Sequence, residues 1–262
     1  MIHIVGAGSG AVDLITVRGD RLLRNADVVV WAGSLVNPAL LEACKPGCSI
    51  HDSSKMTLEE VMDVMLSAHA EGKEVVRLHT GDPSIYGAIR EQMDLLAQHG
   101  VPFEVVPGVS SFCGGAAALN AELTLPGVSQ SVIITRLEGR TPMPEGEKMP
   151  KLASHGATMV IFLSAGMLDK LQAQLMEGGY APDTPAAIVY KATWPDEKVL
   201  RCTVGTLAET GEANDIKLTA LVYVGGVLGD AYDRSMLYHP GFSTLFRVAS
   251  APSIEKGDGS DR

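Results

Sequence analysis

The chain has 262 residues, of which 46% are hydrophobic, 20% charged and 5% aromatic. This composition is typical of soluble globular proteins and excludes disordered and fibrous chains. The 31 acidic residues outnumber the 21 lysines and arginines, giving a formal net charge of -10. The acidic balance therefore argues against non-specific nucleic-acid binding, because such binding requires a basic surface.

Short apolar runs alternate with longer helical patterns along the whole chain. Nine runs predict strands, at residues 2–5, 27–31, 74–78, 103–106, 131–135, 158–163, 187–191, 199–204 and 219–224. Most of these runs are continuously apolar, as in strands that are covered on both faces. Helical patterns lie between them, among others at 58–69, 86–98 and 167–177. The alternation predicts an α/β fold with crossover connections, and nine strands favour two sheets over one.

The organisation of the chain changes where the small residues 114–118 give way to Glu122-Leu-Thr-Leu-Pro-Gly127. We therefore predict an N-terminal α/β domain at 1–119 and a C-terminal α/β domain at 120–248. The polar, Gly-rich tail at 249–262 is expected to be disordered.

Targeting and membrane signals are missing from the sequence, which predicts a cytoplasmic protein that does not bind membranes. Cys44 and Cys48 lie close to His51, but they lack the second ligand pair of a zinc site. We expect reduced thiols and no bound metal.

The first turn after a strand reads Val5-Gly6-Ala7-Gly8-Ser9-Gly10-Ala11. Its glycines allow a ligand to approach the backbone closely. The spacing Gly6-x-Gly8-x-x-Ala11 formally matches the dinucleotide-binding fingerprint. That fingerprint also needs an acid at the end of the second strand, whereas Asp27 lies at its beginning. A nicotinamide site therefore stays open as an alternative.

The segment Thr80-Gly81-Asp82-Pro83 follows the predicted strand at 74–78. Asp82 followed by Pro83 predicts the start of a helix, with an N-cap and a proline in the first helical position. Polar residues at the carboxyl end of a strand, and free N–H groups at a helix start, also favour a ligand site. Both a capped helix and a binding site fit these residues.

Further candidates follow later strands. Pro107-Gly108-Val109-Ser110-Ser111 leads into the small-residue helix at 114–118, which fits either close helix packing or a bound molecule. Arg136, Arg140 and Lys191 lie at or just after strand ends, where they could bind carboxylates or remain solvated. The sequence shows no Ser-His-Asp order, metal-spaced histidine cluster or P-loop.

Taken together, these segments resemble the tetrapyrrole methyltransferases of cobalamin and sirohaem synthesis, in order along the chain to about Gly229. The resemblance rests on the segments 6–16, 80–83, 107–111 and 160–163. Within the family, the segments 32–35, 135–142 and 190–197 resemble the subgroup that methylates precorrin-4 at C11.

The resemblance implies two α/β domains, each with a mostly five-stranded sheet flanked by helices, and an active-site cleft between them. It implies transfer of a methyl group from S-adenosyl-L-methionine to C11 of precorrin-4 or cobalt-precorrin-4, giving a precorrin-5 and S-adenosyl-L-homocysteine. It also implies a homodimer.

Carried over residue by residue, the resemblance implies a cofactor site formed by Ser9, Thr80, Gly81, Asp82, Ile85, Tyr86, Ser110, Ser111, Leu163, Ala192 and Ala220. The glycine-rich loop would then contact the tetrapyrrole, through Gly8 and Gly10. This loop departs from the family pattern, because Ser9-Gly10-Ala11-Val12 stands where the family usually has Pro-Gly-Asp-Pro. The departure removes one charge and two prolines.

Methyl transfer from a sulfonium to an electron-rich ring mainly requires that the two reactants are aligned. We therefore expect no side-chain nucleophile and regard Asp82 as the best polar candidate for an assisting role. The substrate carboxylates would need a local positive rim, for which we name Arg136, Arg140 and Lys191, with Arg18 or Lys55 as further members. Two alternatives remain open, an NAD(P)-dependent Rossmann oxidoreductase and a non-catalytic precorrin carrier.

Overall fold

The computed structural model describes residues 1–250, so the part of the predicted tail at 251–262 lies outside the described residues. Ten strands are present: β1 (Ile2–Gly6), β2 (Val28–Trp31), β3 (Ser49–Asp52), β4 (Val75–His79), β5 (Phe103–Val106), β6 (Val132–Arg136), β7 (Thr158–Phe162), β8 (Pro185–Tyr190), β9 (Lys198–Thr203) and β10 (Ala220–Val224). All nine predicted strands are among them.

Seven α-helices connect or flank these strands in the described part of the chain. They are α1 (Val17–Asn25), α2 (Leu58–Ala70), α3 (Arg90–Gln98), α4 (Ser111–Leu119), α5 (Met149–Ala153), α6 (Leu168–Glu177) and α7 (Leu207–Ala213). Local sequence sets several of the helix starts. Helix α2, for example, begins with a capping box in which Thr57 and Glu60 satisfy each other's backbone N–H groups. None of the helices within residues 1–250 is long and apolar enough to cross a membrane.

The strands form two five-stranded sheets. The first has the order β3-β2-β4-β1-β5, and all of its pairs are parallel. The second has the order β6-β7-β10-β8-β9. In it only β6 and β7 are parallel, and β10 runs antiparallel to both of its neighbours. The predicted α/β class with two sheets is confirmed.

Each sheet is covered by apolar side chains on both faces, which explains why its central strands are mostly apolar. One further apolar cluster joins the two halves of the chain. In it Phe162, Val189 and Tyr223 of the second sheet pack with Leu119 and Phe112 of helix α4. Helix α4 ends at Leu119, and the boundary at 119/120 remains our proposal.

The sequence did not reveal strand β3. It is an edge strand that pairs only with β2, and its residues Ser49-Ile-His-Asp52 contain one apolar side chain, which is itself exposed. A short polar strand of this kind lacks the hydrophobic pattern on which prediction depends.

The predicted helix start at Asp82-Pro83 is wrong. Turns occupy the segment after Pro83, with Tyr86 and Ala88 at positive φ values of 55° and 49°. Helix α3 therefore begins only at Arg90. Non-glycine residues rarely adopt this left-handed conformation, and nothing in a hydrophobic pattern indicates it.

Candidate active site

A cleft of about 540 Å³ lies between the two halves of the chain. Its first wall comes from the loops that follow β1, β4 and β5, with Ser34 and Leu35 from the loop after β2. Its second wall comes from the residues that end or follow β7 and β8 and from those that precede or begin β10. The lining combines mostly apolar surface with a few polar groups, as in sites that bind small molecules.

Every residue that the sequence proposed for the cofactor lines this cleft. They are Ser9, Thr80, Gly81, Asp82, Ile85, Tyr86, Ser110, Ser111, Leu163, Ala192 and Ala220. Their common location agrees with a shared binding site, and their individual contacts with a ligand stay predictions.

Glycines allow the three loops of the first wall to pack backbone against backbone. Gly8 and Gly81 form a bridge in which the Gly81 N–H donates to the Gly8 carbonyl oxygen at 2.9 Å. A Cβ atom on Gly108 would lie 2.1 Å from the Gly81 carbonyl oxygen, and one on Gly6 would lie 2.7 Å from the Gly108 nitrogen. Any side chain at these two positions would force the loops apart.

Asp82 joins two of these loops through its carboxylate. Oδ2 accepts a hydrogen bond from the Gly108 N–H at 2.9 Å, and Oδ1 accepts one from the Ser84 N–H at 2.9 Å. Partial burial acts to raise the pKa of Asp82, but the hydrogen bonds from Ser84 and Gly108 outweigh it, and the net pKa lies below its ordinary value. Asp82 is therefore ionised at neutral pH, which makes it a poor general acid and a firm anchor for the loops.

The turns between Ser84 and Ile89 hold Ile85 and Tyr86 in the cleft wall. The Tyr86 ring packs against the Phe162 ring of the second wall, with the centroids 5.3 Å apart.

Two consecutive hydrogen bonds connect this segment to the first sheet. The buried Arg77 donates from Nε to Gln92 Oε1 at 3.1 Å, and Gln92 donates from Nε2 to the Ala88 carbonyl at 3.0 Å.

Arg77 and His79 are buried on β4, directly below the cleft loops. Burial lowers the pKa of Arg77 to about 10, and Arg77 makes no ion pair among residues 1–250. Burial, together with the nearby Arg77 charge, lowers the pKa of His79 to about 3. His79 is therefore neutral at physiological pH, which leaves Arg77 as the one charge of this buried pair.

The second wall contains an unusual number of strained residues. Leu163, Lys191 and Thr219 all line the cleft and all have positive φ values, of 53°, 46° and 53°. The Lys191 N–H donates to the Thr219 carbonyl at 2.9 Å, which connects two of them. Strained non-glycine backbone of this kind is concentrated at functional sites.

The glycine-rich loop contacts the second half of the chain directly. The hydroxyl oxygens of Ser9 and Thr193 lie 3.1 Å apart, and the Ala11 N–H donates to Thr193 Oγ1 at 3.0 Å. A Cβ atom on Gly10 would lie 2.1 Å from the Trp194 ring. The two predicted substrate contacts Gly8 and Gly10 do not line the cleft, and the structure shows them in loop packing.

The three predicted cations do not gather at one place. Lys191 lines the cleft, where its Nζ lies 2.6 Å from Asp196 Oδ2. Arg136 lines a neighbouring cavity that also contacts Tyr86, and its guanidinium donates to the carbonyls of the following loop. Arg140 is exposed and lines neither cavity.

Sequence reasoning missed several lining residues, among them Leu35, Trp194, Leu218 and Thr219. Leu35 and Trp194 belong to segments that carried the family resemblance, and that signal could have identified them. Leu218 and Thr219 precede β10 and have no comparable signal, because they lie in an irregular turn.

The dinucleotide fingerprint is not supported by the local geometry. In that motif a helix begins within the glycines and presents its N-terminus to a pyrophosphate. Here the loop after Gly6 continues through a short 3-10 turn at Val12–Leu14, and helix α1 begins at Val17. The glycines instead pack against the loops that contain Gly81 and Gly108.

Comparisons with known proteins agree with this geometry. The model of the family "Tetrapyrrole (Corrin/Porphyrin) Methylases" matches residues 1–208. The cobalt-precorrin-4 C(11)-methyltransferase of Methanocaldococcus jannaschii is 54% identical over 94% of this chain and 95% of its own length. The precorrin-4 C(11)-methyltransferase of Mycobacterium tuberculosis is 44% identical over 90% of this chain and 95% of its own length.

Solved structures give the same result. The X-ray structure of a cobalt precorrin-4 methyltransferase superposes with a TM-score of 0.86 at 49% identity, covering 87% of this chain and 96% of that one. A uroporphyrin-III C-methyl transferase from Thermus thermophilus, complexed with S-adenyl homocysteine, gives a TM-score of 0.73 at 28% identity, covering 87% of this chain and 98% of that one. The chain therefore belongs to the tetrapyrrole methylase family.

Proposed function

We propose that this chain transfers a methyl group from S-adenosyl-L-methionine to C11 of precorrin-4 or cobalt-precorrin-4, giving the corresponding precorrin-5. The observation that carries the proposal is the 54% identity to a cobalt-precorrin-4 C(11)-methyltransferase over 94% of the chain. The cleft supports it, because residues from both halves of the matched region converge there.

The cleft has the properties that a nucleoside-type methyl donor needs. Its volume of about 540 Å³ falls in the usual range for small-molecule sites. Its walls offer apolar side chains such as Leu163 and Ile85, together with the backbone groups of Gly81, Ala192 and Ala220. A related structure that holds S-adenyl homocysteine supports the same class of ligand.

The bound donor supplies an electrophilic sulfonium methyl group, so the chain itself has three tasks. Its loops orient the two reactants, an effect worth up to about 7–11 kcal/mol in favourable cases. Its apolar walls exclude water from the reacting atoms. Its strained residues Leu163, Lys191 and Thr219 present backbone groups in fixed directions. Asp82 acts indirectly, by holding the Gly108 loop in place.

We also propose that a positive rim binds the carboxylates of the substrate. Lys191 lines the cleft itself, and Arg136 is close to Tyr86 in the neighbouring cavity. Arg140, with Arg18 or Lys55, would add charge further out. Because the overall charge is -10, an anionic substrate would need cations near the cleft even though these residues lie at separate places around it.

Calorimetric titration tests the cofactor assignment. We expect S-adenosyl-L-homocysteine to bind and NADPH not to bind. Leu163→Asp places a charge on the cleft wall and should raise the Kd for S-adenosyl-L-homocysteine by about tenfold or more. Val17→Asp is the matched control, because Val17 is exposed but lies outside the cleft. Binding of NADPH in place of S-adenosyl-L-homocysteine would overturn the assignment in favour of an oxidoreductase.

Mass spectrometry separates an enzyme from a precorrin carrier. After incubation with precorrin-4 and S-adenosyl-L-methionine, an enzyme yields a product that is heavier by one methyl group. A carrier would return the tetrapyrrole unchanged, and that result would contradict the proposal.

We further propose that the chain forms a homodimer, as the resemblance implied. Light scattering behind a sizing column tests this proposal directly, and a monomer at micromolar concentration would refute it.

A further inference from the structure

The loop that joins β8 to β9 reaches across to the first half of the chain. We call residues 191–197 the β8–β9 loop. In this loop Thr193 accepts a hydrogen bond from the Ala11 N–H at 3.0 Å through Oγ1, and the same oxygen lies 3.1 Å from the Ser9 hydroxyl oxygen. One threonine hydroxyl of the second half therefore contacts two residues of the glycine-rich loop.

Glycines leave the room that this contact needs. The Trp194 ring, next to Thr193, lies so close to Gly10 that an added Cβ atom there would be 2.1 Å from it. On helix α4, a Cβ atom on Gly114 would lie 2.7 Å from Ser9 Cβ and 3.2 Å from Thr193 Cγ2. The side chains of Ser9 and Thr193 thus meet over a helix position that no larger residue could occupy without displacing them.

The β8–β9 loop holds the Thr193 hydroxyl in one place. The Thr193 N–H donates to Glu197 Oε2 at 2.6 Å. The Lys191 ammonium pairs with Asp196 at 2.6 Å and lies 5.3 Å from the centre of the Trp194 ring. Thr193 itself has a φ of 67°, a conformation that a β-branched residue keeps only where its surroundings impose it.

The contact connects the two walls of the cleft. Ser9 is buried and lines the first wall, and Ala192, directly before Thr193, lines the second. Thr193 does not itself line the cleft. It therefore fixes the position of one wall relative to the other without being placed to touch a ligand. Displacements of about 1 Å far from the reacting atoms can cost about 100-fold in rate, because transfer depends on alignment.

We propose that Thr193 is a positioning residue for methyl transfer. Through Ser9 and Ala11 it holds the glycine-rich loop against the second half of the chain, and this keeps the donor and the acceptor aligned. The effect on rate rests on the proposed function, whereas the contact between the loops can be tested without methyl transfer.

Steady-state kinetics test the positioning role. Thr193→Val keeps the branched shape and removes the hydroxyl, so we expect kcat for precorrin-4 methylation to fall by about tenfold or more. The Kd for S-adenosyl-L-homocysteine should rise by less than about threefold, because Thr193 lies outside the cleft. Thr193→Ser retains the hydroxyl and should keep most of the kcat.

Thr184→Val is the matched control. Thr184 is also a partly buried threonine, but it directly precedes β8, at the opposite end of the strand from the β8–β9 loop, and does not line the cleft. This variant should change neither kcat nor the Kd for S-adenosyl-L-homocysteine.

Hydrogen exchange tests the contact independently of the reaction. The Ala11 amide donates to Thr193 Oγ1, whereas the nearby Ala7 amide donates to the His79 carbonyl at 2.7 Å. In Thr193→Val the exchange of the Ala11 amide should become faster by about tenfold or more, and that of the Ala7 amide should not change.

A second variant covers the case in which Thr193→Val does not fold. Glu197 is exposed, and Glu197→Ala removes only the acceptor of the Thr193 N–H. Because the β8–β9 loop would then no longer hold Thr193 in place, Ala11 exchange should again become faster and kcat should fall.

Three results would overturn the inference: unchanged Ala11 exchange in the folded variants, faster Ala11 exchange with unchanged kcat, or an equal loss of kcat in Thr193→Ser and Thr193→Val. An unaltered chain that binds S-adenosyl-L-homocysteine but methylates no precorrin-4 would instead refute the proposed function and, with it, the effect on rate. In that case the exchange of Ala11 alone decides whether Thr193 holds the glycine-rich loop.

Discussion

Asp82 shows how one side chain can join two loops of the cleft wall. Its carboxylate bonds to Ser84 in its own loop and to Gly108, 26 residues further along the chain. The sequence identified Asp82 as important but gave the wrong structural reason, a helix cap. The contact with Gly108 could not be predicted, because no local pattern records which loops meet across a sheet.

Asp82→Asn should therefore weaken folding and turnover together. The amide of asparagine has a single acceptor oxygen, so it must direct an N–H group at the N–H of either Gly108 or Ser84, and we expect the free energy of unfolding to fall by about 1–3 kcal/mol. Asp94→Asn is the matched control, since Asp94 makes only an exposed ion pair with Arg90, which solvent screens. Urea unfolding and turnover measured on both variants check this expectation. Unchanged turnover in Asp82→Asn would remove Asp82 from any role in the reaction.

The pH dependence of stability provides a separate test of Asp82. Its pKa is lower in the folded chain, so its stabilising contribution is fully present above the ordinary aspartate value of 3.8 and is lost as the pH falls through the lower folded-state value. The destabilisation by Asp82→Asn should thus shrink as the pH drops below 3.8. A difference that stays constant into that acid range would contradict this account.

Gly108 has a backbone role that alanine cannot fill. Its added Cβ would lie 2.1 Å from the Gly81 carbonyl oxygen, and the two loops would have to separate. We expect Gly108→Ala to cost about 3 kcal/mol or more in unfolding free energy, like other overpacked sites, and to abolish binding of S-adenosyl-L-homocysteine. Gly146→Ala, with open space around the new methyl group, should change neither. Equal stability of the two variants in thermal melts would refute the close packing.

At the scale of elements, the sequence predicts those strands and helices that have a hydrophobic pattern. The six central strands are largely buried on both faces, so their apolar runs stand out, and the sequence identified all of them together with the edge strands β5, β6 and β9. The turns at 83–89 were read as helix because Ile85 and Ile89 continue the apolar spacing of α3. Their actual shape depends on Gln92 and Arg77, whose contacts join the turn to the sheet. Such long-range polar contacts leave no periodic trace in a sequence.

Substitution of Gln92 should test the two hydrogen bonds that connect Arg77 to Ala88. Gln92→Leu leaves the buried Arg77 Nε–H without its acceptor and should lower the free energy of unfolding by about 2 kcal/mol. Gln92→Glu keeps an acceptor for Arg77 while losing the donor to Ala88, so its loss should be smaller. Denaturant unfolding measures both. If leucine and glutamate are equally tolerated, the Arg77 contact does not stabilise the segment.

At the scale of the whole molecule, the cleft exists because the two halves pack through small residues. The Tyr223 hydroxyl donates to the Phe112 carbonyl at 2.8 Å, and a Cβ atom on Gly115 would lie 2.2 Å from that hydroxyl. The small-residue helix noted in the sequence is thus explained by close packing between the halves. Two sheets could be predicted from strand count, but their mutual placement could not, since it rests on contacts such as this one.

Salt should weaken the binding of the tetrapyrrole and of S-adenosyl-L-homocysteine to different extents. If Lys191, Arg136 and Arg140 attract substrate carboxylates, raising the salt from about 50 to about 500 mM should weaken tetrapyrrole binding far more than binding of S-adenosyl-L-homocysteine. Fluorescence titration with a stable polycarboxylate tetrapyrrole, beside calorimetry for the second ligand, measures both affinities. Equal salt dependence of the two would refute the positive rim.

Methyl transfer to one ring carbon is the central claim, and isotope labelling tests it most directly. Precorrin-4 or its cobalt form would be incubated with the chain and with S-adenosyl-L-methionine that carries a ¹³C-labelled methyl group. We expect the NMR spectra of the product to contain one new labelled methyl signal, whose protons show a long-range correlation with C11. A labelled methyl group on another carbon, or no labelled product from a chain that binds both ligands, would contradict the account.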